Sequence, residues 1–418
     1  MKKLSKVNND KAELYSMIAL CLSVIAVLFV SWTFTGKWPW VGHAYDSYML
    51  QARSWVKGRL DLGQNYPHLE LAIYPPPPDV DGVIPDYCKY YVSFPPFPSF
   101  LMLPFALVHW YTADAFIATI SAMAATVYAY KIMKHYDMTD GRAMFFALFL
   151  TLGSNWLFTV QTAWVWFIAQ NLAFTFSLMA IYYVLNGKLG LSLAFWACAV
   201  GCRPLQTLYL PVILYLFYTD YHAENPSEKL IDIIKKRFTS VIPMAVIALL
   251  YMALNFARFG NPLEFGHNYL PEFARTTTGQ FNLAYMKENL SHLLRLPKIS
   301  FKSGWEYQSF DGWCLLMVSP IFISYIIYTI YSLVKKKIRP VFAILVFAMV
   351  LAELILTTAH KTMGGAHFGN RYTNDVLPLV FLGLAEVLPE EKPAERLNYL
   401  LFFGGMTLNL IGSVQFFM

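Results

Sequence analysis

Charged residues are scarce in this sequence. Only 14% of its 418 residues are Asp, Glu, Lys or Arg, whereas 57% are hydrophobic. A single soluble core of this chain length cannot bury so much apolar surface, so lipid must solvate much of it. The composition excludes an ordinary soluble protein and predicts an integral membrane protein.

The motifs of soluble enzymes are missing as well. There is no Gly-x-Gly-x-x-Gly, no phosphate-binding loop ending in Gly-Lys-Ser/Thr, and no His-Glu-x-x-His. Nucleotide hydrolysis and zinc proteolysis therefore lose support. Five cysteines contain no Cys-x-x-Cys, so neither a disulfide framework nor a metal site is predicted.

Long apolar segments fill the chain instead. An α-helix of about 20 residues crosses a hydrocarbon layer about 30 Å thick. About eleven segments approach that length, and they predict an all-α, polytopic transmembrane bundle that forms one domain over residues 1–418. The segments are 15–33, 94–110, 114–133, 142–160, 165–185, 190–219, 238–258, 313–333, 340–358, 372–388 and 397–417.

Basic residues predict the orientation of these segments. Lysines precede the first segment, which has no small-residue cleavage site and is interpreted as an uncleaved span with a cytoplasmic amino terminus. Residues 190–219 are counted as one crossing broken at Pro204, because splitting them inverts the later basic clusters. The link with Lys131, Lys134 and Arg142 then falls outside, although basic loops are usually cytoplasmic. Two clusters fall inside: Lys229, Lys235, Lys236 and Arg237, and Lys335, Lys336, Lys337 and Arg339.

These cytoplasmic clusters account for the formal charge of +6 and suit an anionic leaflet, so no nucleic-acid partner is predicted. The long polar stretches, 34–93 and 259–312, both fall on the outer side. In the first, apolar residues recur every three or four positions from Tyr45 to Val56, and Gly58 follows. This pattern and a similar one from Leu283 to Leu294 predict amphipathic interfacial helices.

Polar residues inside apolar segments are the candidates for chemistry. Arg203 interrupts an apolar segment and needs an anion, a water-filled cavity or a partner such as Glu353. The glycine-rich stretch 361–372 includes Arg371, and its backbone amides and the guanidinium group can hold an anion. Glu264 and His267 lie in a turn-rich stretch after the seventh segment and can either contact substrate or stabilise the turn.

Together these features resemble the GT-C glycosyltransferases, which include protein O-mannosyltransferases and the aminoarabinose transferase that acts on lipid A. The chain is similar to bacterial members of this class at five places in the same order. Many members have a second acidic residue after the first, whereas here Ser47 follows Asp46, and Asp61, Asp79, Asp81 and Asp86 are scattered later. The five places are His43 to Leu50, Lys89 to Pro98, Arg203-Pro204, Arg258 to Gly266, and Gly369 to Tyr372 followed by Asp375.

The resemblance implies an inverting transfer from a polyprenyl-phosphate sugar to an acceptor hydroxyl at the outer face of a membrane, with Asp46 as general base. Lys89, Arg203 and Arg371 are implied to bind the donor phosphate. Tyr91, Glu264, His267 and His367 are further candidates for substrate contacts. No cofactor is implied, and the missing second carboxylate leaves a divalent metal without support.

The resemblance also implies a multi-pass protein of a bacterial inner membrane, with a lipid, a glycan or a protein as acceptor. The alternative is a lipid or solute transporter, a flippase included, with Arg203 and Glu353 in its pathway. Long outer loops favour catalysis at one face over alternating access. A ligase or polymerase that uses lipid diphosphate donors is a third class, against which Asp46 argues.

Overall fold

The computed structural model describes residues 2–80, 82–300, 304–336, 339–389 and 392–418, so Asp81 and Lys337 lie outside the described residues. That part of the chain is mostly helical. Its α-helices are α1 (Lys2–Thr35), α2 (Ser47–Val56), α3 (Phe97–Leu107), α4 (Ala113–His135), α5 (Asp140–Thr151), α6 (Trp156–Thr159), α7 (Val165–Leu185), α8 (Leu189–Val200), α9 (Leu210–Glu224), α10 (Leu230–Arg237), α11 (Ile242–Phe259), α12 (Pro271–Ala274), α13 (Met286–Leu294), α14 (Leu315–Val318), α15 (Ile321–Val334), α16 (Pro340–Thr358), α17 (Leu377–Val387) and α18 (Lys392–Phe417).

Short strands and 3₁₀ turns connect some of these helices. Strands β1 (Leu71–Tyr74) and β2 (Lys89–Val92) form an antiparallel hairpin, and β3 (Lys298–Ser300) and β4 (Gly304–Glu306) form another. The 3₁₀ turns are Pro204–Tyr209, Phe238–Val241, His267–Tyr269, Leu283–Tyr285 and Arg371–Val376.

Six helical stretches among the described residues are long and apolar enough to cross a membrane. The chain is therefore compatible with a multi-pass membrane protein. The stretches are Lys11–Thr35, Ala113–His135, Val165–Leu185, Leu230–Phe259, Pro340–Thr358 and Glu395–Phe417.

The helices form a bundle with two distinct ends. At the loop end, residues of the first loop meet the starts of α4 and α7: His43 pairs with Asp114 at 3.0 Å, and Tyr45 O accepts a hydrogen bond from Val165 N at 3.0 Å. Further contacts of this kind join Val92 to Arg258 and Asn282 to Ala359. Both long loops thus lie at one end of the bundle.

The basic end is opposite the loops. Arg339 forms a two-pronged ion pair with Glu386, with N–O distances of 2.7 and 2.9 Å. Tyr136, directly after α4, interacts electrostatically with both of these residues. Arg142 donates to the carbonyl of Pro389. The ends of α4, α15 and α17 and the starts of α5 and α16 therefore meet here.

The predicted span at 94–110 does not traverse the bundle, and that prediction was wrong. Its helix α3 has 11 residues, a length of about 16 Å at 1.5 Å per residue. Phe94, before α3, lies 6.3 Å from Tyr48 between ring centroids, and Asp114, after α3, pairs with His43. Since both contacts involve residues that flank the start of α2, the segment begins and ends at the loop end. The hydropathy of this segment indicated that it avoids water, but it did not indicate whether the helix crosses from one end of the bundle to the other.

Residues 190–219, predicted as one broken crossing, instead enter and leave at the basic end. Gly190 packs against the backbone of Ser240. The Arg237 guanidinium lies 5.0 Å from the ring centroid of Tyr221, just past the other end of the segment. Helices α8 and α9 therefore form a hairpin whose tip points toward the loop end.

The first correction removes one crossing and the second adds one. All segments after the α8–α9 hairpin therefore keep the orientation predicted from the sequence. Lys131, Lys134 and Arg142 now lie at the same end as Arg237 and Arg339, so the discrepancy predicted from sequence disappears. One end of the bundle is basic and the other carries both loops, which is the charge asymmetry typical of membrane proteins.

Candidate anion-binding site

Two irregular turns bring basic side chains into the bundle. Arg203 lies at the tip of the α8–α9 hairpin, where Pro204 begins a 3₁₀ turn. Arg371 begins the 3₁₀ turn that precedes α17. Proline and glycine prevent a continuous helix at both places, which leaves room for polar groups between the helices.

Arg203 is held by a buried carboxylate. Its Nε and Nη2 atoms lie 3.0 and 2.5 Å from Asp375 Oδ2. Gln170 Nε2 donates to Asp375 Oδ1 at 2.8 Å, so both carboxylate oxygens accept hydrogen bonds. The partner suggested from sequence, Glu353, is buried and interacts electrostatically with Asp375 and Arg203, but Asp375 makes the direct contact.

Arg371 has a carbonyl partner instead of a carboxylate. Its Nε and Nη2 atoms donate to Gly364 O at 3.1 and 2.9 Å. Gly364 has φ +107, and a Cβ there would come within 2.7 Å of Arg371 Nε, so the close approach requires glycine. Arg371 is only 3% exposed, and its Nη1 has no hydrogen-bond partner among the described residues. A buried guanidinium with an unused donor is suited to bind an anion.

Both arginines lie against the ring of Tyr372. The Arg203 and Arg371 Cζ atoms are 5.2 and 4.7 Å from its centroid. Arg203, Arg371 and Tyr372 are called the arginine cluster below. Asp375 pairs with Arg203, whereas Arg371 has no hydrogen-bonded carboxylate among the described residues, so Arg371 is the cation of the cluster without a directly paired anion.

Two histidines lie beside the cluster. The rings of His267 and His360 are 6.2 Å apart, and His267 Nδ1 is 3.3 Å from Ser93 O. Burial lowers the pKa of His267 to about 4, with further contributions from His360 and Arg203. Burial also lowers the pKa of His360. Both imidazoles are therefore neutral at pH 7 and can exchange hydrogen bonds with a bound polar group.

Glu70, which the sequence analysis did not single out, is a carboxylate on which the charge of Arg371 acts. It precedes β1 and is exposed, and its Oε2 accepts a hydrogen bond from Trp166 Nε1 at 2.9 Å. Although the residue as a whole is exposed, neighbouring atoms displace water from the carboxylate and raise the pKa of Glu70, as does the charge of Glu272. The Trp166 hydrogen bond and the charge of Arg371 lower this pKa. These interactions connect the first loop, the second loop and the arginine cluster.

Asp46 lies at the N-cap position of α2, where its side chain makes no capping hydrogen bond. The carboxylate is half-buried. Burial raises the pKa of Asp46, and the nearby charge of Asp114 raises it further, while His43 and Arg53 lower it. Neither Arg203 nor Arg371 is among the charges that act most strongly on Asp46, so this residue belongs to a separate group of ionisable side chains with His43, Asp114 and Arg53.

Three other predicted residues belong to the framework of the loops. Lys89 is exposed on β2, opposite Tyr74. Tyr91 is buried, with its ring 5.1 Å from that of Phe259. Glu264 accepts hydrogen bonds from a backbone amide and from a side-chain amide, each at 2.6 Å, which closes a turn.

His367 lies at the buried side of the cluster. It is 0% exposed. Burial lowers the pKa of His367 to about 3, and the charge of Arg371 lowers it further. The structure thus brings Arg203, Arg371, His267 and His367 together. It leaves Lys89 exposed on an otherwise largely buried hairpin, and it places Asp46 in a separate group.

The residues that sequence reasoning missed are Glu70, Trp166 and His360, together with the pairing role of Asp375. Glu70 and Trp166 are separated by 96 positions in the chain, and no local spacing connects them. Asp375 follows Arg371 by four residues and could have been found as an acidic residue beside an apolar segment.

Comparison with known proteins adds no relative. No known family model matches the chain, and no curated protein matches it in sequence. Its function is therefore inferred from the residues and their geometry.

Proposed function

We propose that the protein is a membrane glycosyltransferase that moves a sugar from a polyprenyl-phosphate donor to an acceptor hydroxyl. The single observation that carries this proposal is the arginine cluster, a partly buried site in which the Arg371 guanidinium has an unused donor and no hydrogen-bonded carboxylate among the described residues. Such a site suits a phosphate whose negative charge grows as it leaves the sugar. The resemblance to GT-C enzymes adds the sugar and the polyprenyl chain.

The arginine cluster stabilises the leaving phosphate, with Arg371 Nη1 as its free donor. The polyprenyl chain lies in the lipid between helices, so that only the phosphate and sugar reach the cavity. Phosphate is a good leaving group at neutral pH, so the reaction needs a base but no general acid.

Asp46 serves as the base. It takes the proton of the acceptor hydroxyl, the acceptor oxygen forms a bond to the anomeric carbon, and the carbon–oxygen bond to the phosphate breaks with its electron pair on the phosphate. One displacement inverts the configuration at the anomeric carbon. The raised pKa of Asp46 supports this role, because a carboxylate with a higher pKa is a stronger base.

The chain crosses a bacterial inner membrane about eleven times, with its basic end in the cytoplasm and both loops outside. The α8–α9 hairpin replaces the span lost at α3, so the proposed number is unchanged. Helices α2 and α13 lie at the outer interface and frame the cavity. The basic end supports this orientation.

Cysteine labelling tests the orientation. A cysteine at Val83 or Thr277, both exposed at the loop end, should react with a membrane-impermeant maleimide in intact cells. A cysteine at Ser227, exposed between α9 and α10, should react only after the cells are opened. The five native cysteines are at most partly exposed and should give little background. Labelling of Ser227→Cys in intact cells would overturn the orientation.

The base assignment predicts a pH dependence. An Asp46 base must be ionised, so transfer should fall as the pH drops through its raised pKa, at a higher pH than an ordinary aspartate gives. Arg53→Gln removes a positive charge that lowers this pKa, so the acid limb of kcat/KM should move to still higher pH. Lys57→Gln, at an exposed position one turn further along, is the matched control and should leave the limb in place. A limb that moves to lower pH in Arg53→Gln contradicts the assignment.

Donor turnover tests the function itself. The purified protein in lipid nanodiscs should release polyprenyl phosphate from a panel of radiolabelled polyprenyl-phosphate hexoses and pentoses when membrane extract is added as acceptor. Arg371→Gln removes the unused donor and should weaken donor affinity about 10-fold or more, since hydrogen bonds to charged groups contribute about 1.5–3 kcal/mol. No release from any donor by the wild-type protein contradicts the proposal.

A transporter or flippase is the second candidate. The buried group formed by Arg203, Asp375 and Glu353 favours it, because such residues mark substrate pathways in membranes. The two functions differ in whether the sugar–phosphate bond breaks. Movement of an intact polyprenyl-phosphate sugar across a vesicle membrane, without release of polyprenyl phosphate, would favour the transporter.

A further inference from the structure

An aromatic surface lies at the loop end next to Glu70. Tyr45 is 4.9 Å from Trp164 and 5.2 Å from Trp166 between ring centroids, with ring planes tilted by 54° and 46°. The two tryptophans are 6.5 Å apart at 76°. All three side chains are half-buried, so each keeps part of its surface free. Tyr45, Trp164, Trp166 and Glu70 are called the aromatic shelf below.

The shelf is fixed from both sides. Val165 N donates to Tyr45 O at 3.0 Å, which holds the first loop against the start of α7. Trp164 stacks on Phe167 with ring centroids 5.5 Å apart. The indole N–H of Trp166 is used by Glu70 Oε2, so the orientation of that carboxylate is set and Oε1 is left to accept other hydrogen bonds. The shelf is therefore preformed for a ligand.

A sugar ring fits this combination. One face of a pyranose carries C–H groups that pack against aromatic rings, while its hydroxyls donate hydrogen bonds to a carboxylate. A quaternary ammonium ion also binds aromatic side chains next to a carboxylate. A quaternary ammonium ion has no N–H or O–H to donate, whereas a sugar hydroxyl can donate to Glu70 beside the Trp166 N–H, so the hydrogen-bonding carboxylate favours the polyol.

We propose that the aromatic shelf is an acceptor subsite that binds a pyranose, so that the acceptor of the transfer is a glycan or a glycolipid. This inference rests on the proposed function, because only a transfer reaction makes the bound sugar an acceptor. It adds the chemical class of that acceptor and assigns roles to Glu70, Trp164 and Trp166. Phe167 connects the shelf to the phosphate site, because its ring stacks on Trp164 and its centroid lies 5.9 Å from Arg371 Cζ.

Saturation-transfer difference NMR tests the shelf without any donor. The full chain in lipid nanodiscs is mixed in turn with methyl β-glucoside, methyl β-galactoside, methyl α-mannoside and choline. At least one glycoside should receive saturation, most strongly on ring C–H protons. Trp166→Ala and Glu70→Gln should each reduce this signal at least five-fold. Trp40→Ala removes a tryptophan that is 64% exposed elsewhere in the first loop, and it should leave the signal unchanged.

Three results would overturn the inference: no saturation of any glycoside, stronger saturation of choline than of every glycoside, or an equal loss in Trp40→Ala. Donor turnover is measured separately on the same preparation. Glycoside binding without donor release leaves the shelf as a sugar site and removes the proposed function. Donor release without glycoside binding leaves the function and removes the glycan acceptor.

Discussion

Asp46→Asn is expected to lower the rate of sugar transfer by about 10²- to 10⁴-fold, the usual contribution of a general base. The amide keeps the shape of the carboxylate but cannot accept the acceptor proton. Because the Asp46 side chain makes no capping hydrogen bond, its replacement should leave α2 and the fold intact. Transfer is measured with labelled donor in nanodiscs, and donor binding should be retained.

Two matched controls sharpen this result. Asp86→Asn alters an exposed aspartate of the same loop and should transfer at the wild-type rate. Glu70→Gln removes the carboxylate of the aromatic shelf and should raise KM for the acceptor while kcat changes little. If Glu70→Gln abolishes kcat and Asp46→Asn does not, the base is Glu70 and the assignment of Asp46 is wrong.

Arg203→Ala is expected to destabilise the fold by about 3–5 kcal/mol, because it leaves a carboxylate buried without its cation. Asp375 is 1% exposed in its side chain and Arg203 is 21% exposed. The double variant Arg203→Ala, Asp375→Ala should recover much of this loss, because neither charge then remains unpaired. Thermal unfolding of the purified protein in detergent measures the difference.

Arg339→Ala is the matched control for an ion pair at the periphery. Arg339 and Glu386 are 42% and 13% exposed in their side chains, and exposed pairs contribute about 0–1 kcal/mol. An Arg203→Ala variant as stable as Arg339→Ala would contradict the buried pair. A stable double variant that still binds donor at wild-type affinity would restrict Arg203 to a structural role and leave Arg371 as the phosphate ligand.

The sequence predicted the helical class and the positions of most helices, because hydrophobic runs report burial in lipid directly. It mispredicted the direction of two segments. Helix α3 and the α8–α9 hairpin are as apolar as spanning helices, but each returns to the end it came from, and only tertiary contacts such as His43 with Asp114 reveal this. The predicted orientation was therefore inverted for the segments between α3 and the α8–α9 hairpin, and the second error restored it for the segments that follow.

For the site, the sequence identified Arg203 and Arg371 because arginine beside apolar residues is costly and therefore conspicuous. It did not identify their arrangement around Tyr372. Arg203 and Arg371 are 168 positions apart in the chain, yet both lie against that ring. Glu70 and Trp166 escaped notice because each lies in a loop or at a helix start, where polar and aromatic residues are common. The hydrogen bond between them is the observation that marks them as candidate site residues.

The most direct test of sugar transfer is mass spectrometry of polyprenyl-phosphate sugars and envelope glycans from cells that lack the gene, complemented with either the wild-type chain or Asp46→Asn. The account predicts that one polyprenyl-phosphate sugar accumulates and one glycan loses a single sugar without the gene. Wild-type protein should reverse both changes and Asp46→Asn neither, although it is present in the membrane. Full reversal by Asp46→Asn, or unchanged lipids and glycans without the gene, would contradict it.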